Sequence, residues 1–96
     1  IVLLNNGMFG TIRMHQERSY PAHLSGSALQ NPDFVALAQA YGYASVRVQR
    51  TEEFEGALSQ ALSSERGTLI EIMLDPEVIT TRVSLSQIRQ TALASR

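Results

Sequence analysis

The chain has no cysteine, no strong excess of charge of either sign and no long apolar run. Without cysteine there is no disulfide, no thiolate metal site and no cysteine nucleophile, and a cytoplasmic setting is the expectation. Eight basic and nine acidic residues give a formal net charge of −1. That balance supplies no electrostatic reason to expect nucleic acid or an anionic membrane as partner. No segment approaches the ~20 apolar residues that span a bilayer. Internal repeats and low-complexity stretches are also missing. What remains is a chain of 96 residues with an ordinary hydrophobic fraction of 44%. That length suits one small domain or part of a larger one. Because Ile1 is not an initiator Met and the chain opens inside an apolar run, the expectation is a fragment whose sheet lacks neighbours.

The residues then fall into alternating strands and helices. Ile1 to Leu4 is a continuous apolar run, as in a parallel strand covered on both faces. Asn5 to Gly10 is a turn, and Thr11 to about Gln16 a short helix. Residues 18–31 hold Pro21, Gly26 and three serines, and predict a surface loop longer than most connections. Asn31 is placed to cap a helix whose first position is Pro32. Phe34, Leu37, Ala38 and Tyr41 form its apolar stripe, and Gly42 stops it. Val46 and Val48 alternate with polar residues as in a half-exposed strand. Thr51 is read as the cap of the next helix, with Phe54, Ala57, Leu58, Ala61 and Leu62 as its inner face. Leu69 to Leu74 is a second buried-type strand, closed by Asp75-Pro76. Ser84 and Gln87 have capping-box spacing ahead of a last helix. This order predicts an α/β fold of parallel βαβ units, with no domain boundary inside residues 1–96.

The chemistry concentrates in the turn after the first strand. Asn6 offers a neutral side-chain oxygen and Met8 a main-chain carbonyl two residues later. Hard cations such as Mg²⁺ take such oxygens together with phosphate and water. Gly7 and Gly10 let the backbone bend and approach a ligand. The N–H groups of Phe9, Gly10 and Thr11 open a helix and could face a diphosphate. The same residues also make a plain turn, since Asn and Gly tolerate left-handed backbone angles. His15 could act as a general acid–base, with a pKa near neutrality, or be an ordinary exposed helix residue. His15 and Glu17, two apart, do not face each other on a helix, and His23 has no acidic neighbour at metal spacing. Arg13, Glu17 and Arg18 read by default as a solvated face. Glu71, inside an apolar strand, calls for an arginine partner or a place at the sheet edge.

The run LLNNGMFGTIRMHQERSYP resembles the second half of the cofactor motif of thiamine-diphosphate-dependent enzymes. That motif begins with Gly-Asp-Gly and closes some twenty-odd residues on with an apolar strand and Asn-Asn. NPDFVALAQAYG, TEEFEGALSQAL and GTLIEIMLDP are similar to the elements that follow in the family, and the acetolactate synthase-like branch is the nearest. The resemblance implies the C-terminal half of a doubly wound, three-layer, parallel-sheet domain that binds thiamine diphosphate and Mg²⁺. It places Asn6 and the Met8 carbonyl on the metal, and Phe9, Gly10 and Thr11 at the diphosphate through their backbone. Asn5 would support the turn. It further implies a parent enzyme acting on a small 2-oxo acid, with transfer or release of the acyl unit, and working as a homo-dimer or tetramer. The aspartate of Gly-Asp-Gly and the glutamate that activates the cofactor have no counterpart in the chain, so the fragment alone is expected to be inactive. Typical acetolactate synthases carry Gln-Trp where this chain has Met14-His15, and that Trp lines the acceptor pocket. The acceptor is therefore left open, with His15 near the substrate channel. The competing reading is a small non-catalytic α/β interaction or regulatory domain.

Overall fold

A computed structural model describes all of residues 1–96. The elements run β1 (Val2–Asn5), α1 (Gly10–Ser19), α2 (Phe34–Ala40), β2 (Ala44–Val48), a 3₁₀ turn (Thr51–Glu53), α3 (Phe54–Ser63), β3 (Thr68–Met73) and α4 (Leu85–Ala94). All three strands are parallel, in the order β1-β3-β2. The α/β class is as expected. No helix is long and apolar enough to cross a membrane. The contacts divide the chain into two compact units, one of residues 1–5 and 31–74, the other of 6–30 and 75–96.

The sheet unit has the apolar core. Val48, Ala57 and Ile70 are buried together, with Val46, Phe54, Leu58, Ala61 and Ile72 packed around them. Full burial of a side chain such as Ile70 contributes roughly 1.5–3 kcal/mol. β3 lies in the middle, with Val2 of β1 and Val46 of β2 both in register with Ile70. β1 is an edge strand, and Val2 and Leu4 on one face are 51% and 64% exposed, while Leu3 is half-buried and Asn5 buried on the other, so only one of the two faces expected to be covered is covered. Asp33, not Asn31, caps α2, its carboxylate accepting from Ala36 N–H at 3.1 Å. Asn31 is drawn away instead, its amide donating to Asn5 Oδ1 at 3.0 Å. Tyr41 follows the last helical residue and is 78% exposed, so the stripe on α2 narrows to Ala38 with Phe34 and Val35 half-buried. Gly42 does stop the helix, at φ +82°. Thr51 enters the 3₁₀ turn rather than capping α3. Glu53 ties that turn down by accepting from the Gln49 and Arg50 N–H groups. Leu62, counted in the inner face of α3, points to solvent.

The helical unit has α1 and α4 and only a few buried apolar residues, Met8, Leu85 and Ile88. The capping box on α4 forms as read. Ser84 Oγ accepts from Gln87 N–H at 3.2 Å, and Gln87 Oε1 accepts from Ser84 N–H at 2.8 Å. α1 runs three residues past its expected end because Glu17 is not on a solvated face. Glu17 is 0% exposed, and its carboxylate accepts from both Nε and a terminal nitrogen of Arg89 and from Ala22 N–H. The Arg89 hydrogen bonds hold that carboxyl below the ordinary glutamate value, against the opposing effect of burial. The presumed surface loop is also tied down. Pro21 and Ser27 are buried, and Ala28 forms an antiparallel bridge with Met8.

Candidate cofactor-binding turn

β1 ends at Asn5, whose side chain is spent within the sheet unit. Its amide nitrogen donates to Glu71 Oε1 at 2.9 Å, while its oxygen accepts from Asn31. Glu71, 2% exposed in the central strand, also accepts from Arg47 Nε at 2.8 Å, and Arg47 reaches Asp33 at 2.8 Å. The arginine partner anticipated for Glu71 is therefore present, and the edge position is not.

Asn6 begins the helical unit. Its side-chain oxygen accepts from Met8 N–H at 3.2 Å, closing a turn of the kind Asn favours. Gly7, at φ +71°, supplies the left-handed backbone within that turn. Two rungs then pin the turn from one side. Leu29 N–H donates to Gly7 C=O and Phe9 N–H to Ser27 C=O, both at 2.9 Å. Met8 is 8% exposed, yet its carbonyl accepts no hydrogen bond from the chain. A second lone pair on Asn6 Oδ1 is likewise unused. A carbonyl oxygen and an amide oxygen two residues apart thus remain open.

α1 starts directly afterwards without a cap. Phe9 stands at the N-cap position and offers no side-chain acceptor, and the first intrahelical bond is Arg13 N–H to Phe9 C=O at 2.9 Å. The N–H groups of Gly10 and Thr11 precede that bond, while that of Phe9 is committed to Ser27. Among the three residues placed at the diphosphate, Gly10 and Thr11 are therefore the ones with donors to give. Gly10 also permits the fit. A Cβ there would lie 2.8 Å from Asn6 Nδ2 and 2.8 Å from Ile79 Cδ1, so a larger residue would push the Asn6 or Ile79 side chain from its place against the helix start. Such an end attracts an anion through its dipole and free N–H groups.

These donors fit Mg²⁺ and a diphosphate. No cluster of three or more His, Cys, Asp or Glu is present in the chain, so its own offer to a cation is neutral oxygen, which a hard ion accepts alongside phosphate oxygens and water. His15 is exposed on α1, four residues from Thr11 and hence on the same side of the helix. His23 contacts only the Pro21 carbonyl, at 3.2 Å. Sequence reasoning missed Ser27, Ile79 and Arg89. Nothing local marks Ser27, and Arg89 shows itself only once Glu17 is known to be buried.

A strand of a parallel α/β sheet that runs through an amide- and glycine-rich turn into an uncapped helix is an arrangement at which α/β proteins bind phosphate groups. Residues 1–72 match the family described as thiamine pyrophosphate enzyme, C-terminal TPP binding domain, and the chain belongs to that family. It is 39% identical to the acetolactate synthase isozyme 3 large subunit of Escherichia coli over 69% of the chain and 12% of that protein. It is 33% identical to the mitochondrial acetolactate synthase catalytic subunit of Saccharomyces cerevisiae over 81% of the chain and 11% of that protein. Benzoylformate decarboxylase of Pseudomonas aeruginosa is 34% identical over 74% of the chain and 13% of its own length. The chain thus spans only a small fraction of the relatives it matches. Family membership displaces the reading of an unrelated interaction or regulatory domain.

Proposed function

We propose that the chain is the diphosphate-end portion of a thiamine-diphosphate- and Mg²⁺-dependent enzyme that decarboxylates a 2-oxo acid and transfers or releases the acyl unit. The observation that carries this reading is the turn 6–11, where the Met8 carbonyl, with no hydrogen bond from the chain, and the Asn6 side-chain oxygen, held by Met8 N–H alone, stand beside an uncapped helix start. Asn6 Oδ1 and the Met8 carbonyl would hold the cation, and the Gly10 and Thr11 N–H groups the diphosphate, with Phe9 lending its backbone to the shape of the turn. The cofactor, when bound, supplies the electron sink that decarboxylation next to a carbonyl requires. The chain's own part is to grip and orient the charged end. His15, exposed on the side shared with Thr11, would exchange a proton with the substrate. The acetolactate synthases and the benzoylformate decarboxylase among the relatives support a small 2-oxo acid as substrate. The bare edge of β1 fits a sheet that continues in the parent enzyme, for which a homo-oligomer in the family's manner and a cytoplasmic setting complete the reading.

Calorimetry on the full-length protein tests the reading. Thiamine diphosphate should bind only with Mg²⁺ present, and Asn6→Ala should weaken the cation at least about tenfold through the lost ligand. The 96-residue chain alone should bind weakly or not at all, having only part of the ligand set. Failure of the full-length protein to bind the cofactor overturns the proposal. Turnover on a panel of 2-oxo acids then identifies the substrate.

A further inference from the structure

Ser27 sits between α1 and α2 and is 1% exposed, as deeply buried as any core side chain. Its hydroxyl is fully used. It accepts from Arg13 Nε at 2.9 Å and donates to Gln16 Oε1 at 2.9 Å. Gln16 in turn donates through Nε2 to Ser25 C=O at 2.7 Å. Residues 25–29 thus form a strap tied to α1 by side chains and laid antiparallel along the turn 7–9 by two backbone rungs. Within the strap itself apolar burial is slight, with Ala28 exposed and Leu29 half-buried.

The geometry of the rungs gives the strap a task. A peptide is planar and trans, so its N–H and C=O point in opposite directions. Phe9 N–H and Met8 C=O belong to one peptide. By taking the Phe9 N–H, the Ser27 carbonyl aims the Met8 carbonyl away from the strap. Gly7 C=O and Met8 N–H belong to the preceding peptide. By donating to Gly7 C=O, Leu29 aims the Met8 N–H, and that N–H holds Asn6 Oδ1 at 3.2 Å. Each rung therefore orients one of the two open oxygens. Resting on the function proposed above, we infer that Ser27 is a positioning residue for the cation: its buried hydroxyl locks the strap that sets the directions of both oxygen ligands.

The two ions differ in how much such positioning matters. Mg²⁺ demands near-ideal octahedral geometry at short distance, whereas Ca²⁺ accepts longer and more variable contacts. Titration of the full-length protein with Mg²⁺ and then Ca²⁺, at saturating thiamine diphosphate, separates positioning from simple structural support. Ser27→Ala should weaken Mg²⁺ about tenfold, in the range seen for outer-shell partners of metal ligands, and Ca²⁺ by less than about twofold. Gln16→Met, at a half-buried position, should shift the same ratio in the same direction, and it decides the question if Ser27→Ala does not fold. Equal weakening of both ions, or an unchanged Mg²⁺ affinity in a folded variant, overturns the inference while leaving the cofactor assignment intact. If the unsubstituted protein binds no cofactor with either ion, the cofactor assignment fails and takes the inference with it.

Discussion

Glu71 and Glu17 are both all but sealed from solvent and both meet an arginine, yet they sit in different kinds of surroundings. Glu71 lies in the middle strand of a sheet whose aliphatic core already holds the strands together. Its partners, Asn5 and Arg47, tie the carboxyl end of β1 to β2, and Arg47 is itself partly exposed and shared with Asp33. Glu17 lies in a unit with few buried apolar side chains, where Arg89 joins α4 to α1 through two hydrogen bonds. The turn proposed to hold the cofactor belongs to this second unit. Where apolar burial is scarce, polar contacts set the geometry: the Glu17–Arg89 pair, the Ser27 ties and the backbone rungs. Apolar packing tolerates small slides, whereas hydrogen bonds fix direction, and a metal ligand needs direction.

The largest effect should come from breaking the helical unit's ion pair. Arg89→Met leaves Glu17 buried and unpaired, at a cost of about 3 kcal/mol. Amide hydrogen exchange in α1 and α4 should then accelerate by roughly a hundredfold, since every 1.4 kcal/mol is tenfold, while β2 and α3 change little. Equal acceleration throughout would erase the contrast between the two units. Glu71→Gln should act in the other unit and more mildly, by about 2 kcal/mol, because the amide oxygen still serves one partner and Arg47 can turn to water. Exchange at β1 and β3 reads this loss, and an unaltered β1 would mean that the core alone holds the edge strand.

Acid should have the smallest effect, and it should begin in the helical unit. The folded-state pKa of Glu17 is lowered, chiefly by Arg89. Its ionised form therefore contributes stability that is present above the ordinary glutamate value of about 4.3 and is lost as pH falls through the folded value. Protonation keeps some of the hydrogen bonds, so the loss is smaller than for Arg89→Met. Protection of α1 and α4 should decline below that pH, and the decline should vanish in Arg89→Met. Persistence of the decline in the variant would assign it to another group.

Much of the fold was legible because it is written in local periodicity and punctuation. The strand at 68–73, the inner face of α3, the stop at Gly42 and the Ser84–Gln87 box all depend on residues within a few positions of each other. The turn after β1 was legible for the same reason, being a contiguous run of amide and glycine residues after a strand. Two misreadings arose where a distant partner outbid a local one: Asn31 left the cap position for Asn5, and Glu17 went inward to Arg89. A third was local, Thr51 yielding to the neighbouring Glu53.

By itself, the amino-acid sequence determined the order of elements, the parallel α/β class, the family and the turn between β1 and α1. Only the tertiary structure decided the strand order β1-β3-β2, the burial of Glu17 and Ser27, and the strap that aims the Met8 carbonyl. The physical reason is range. Helix and strand periods, caps and turns are set by neighbours along the chain, whereas hydrogen-bond direction and charge burial depend on groups that folding brings together from as far as 77 positions apart.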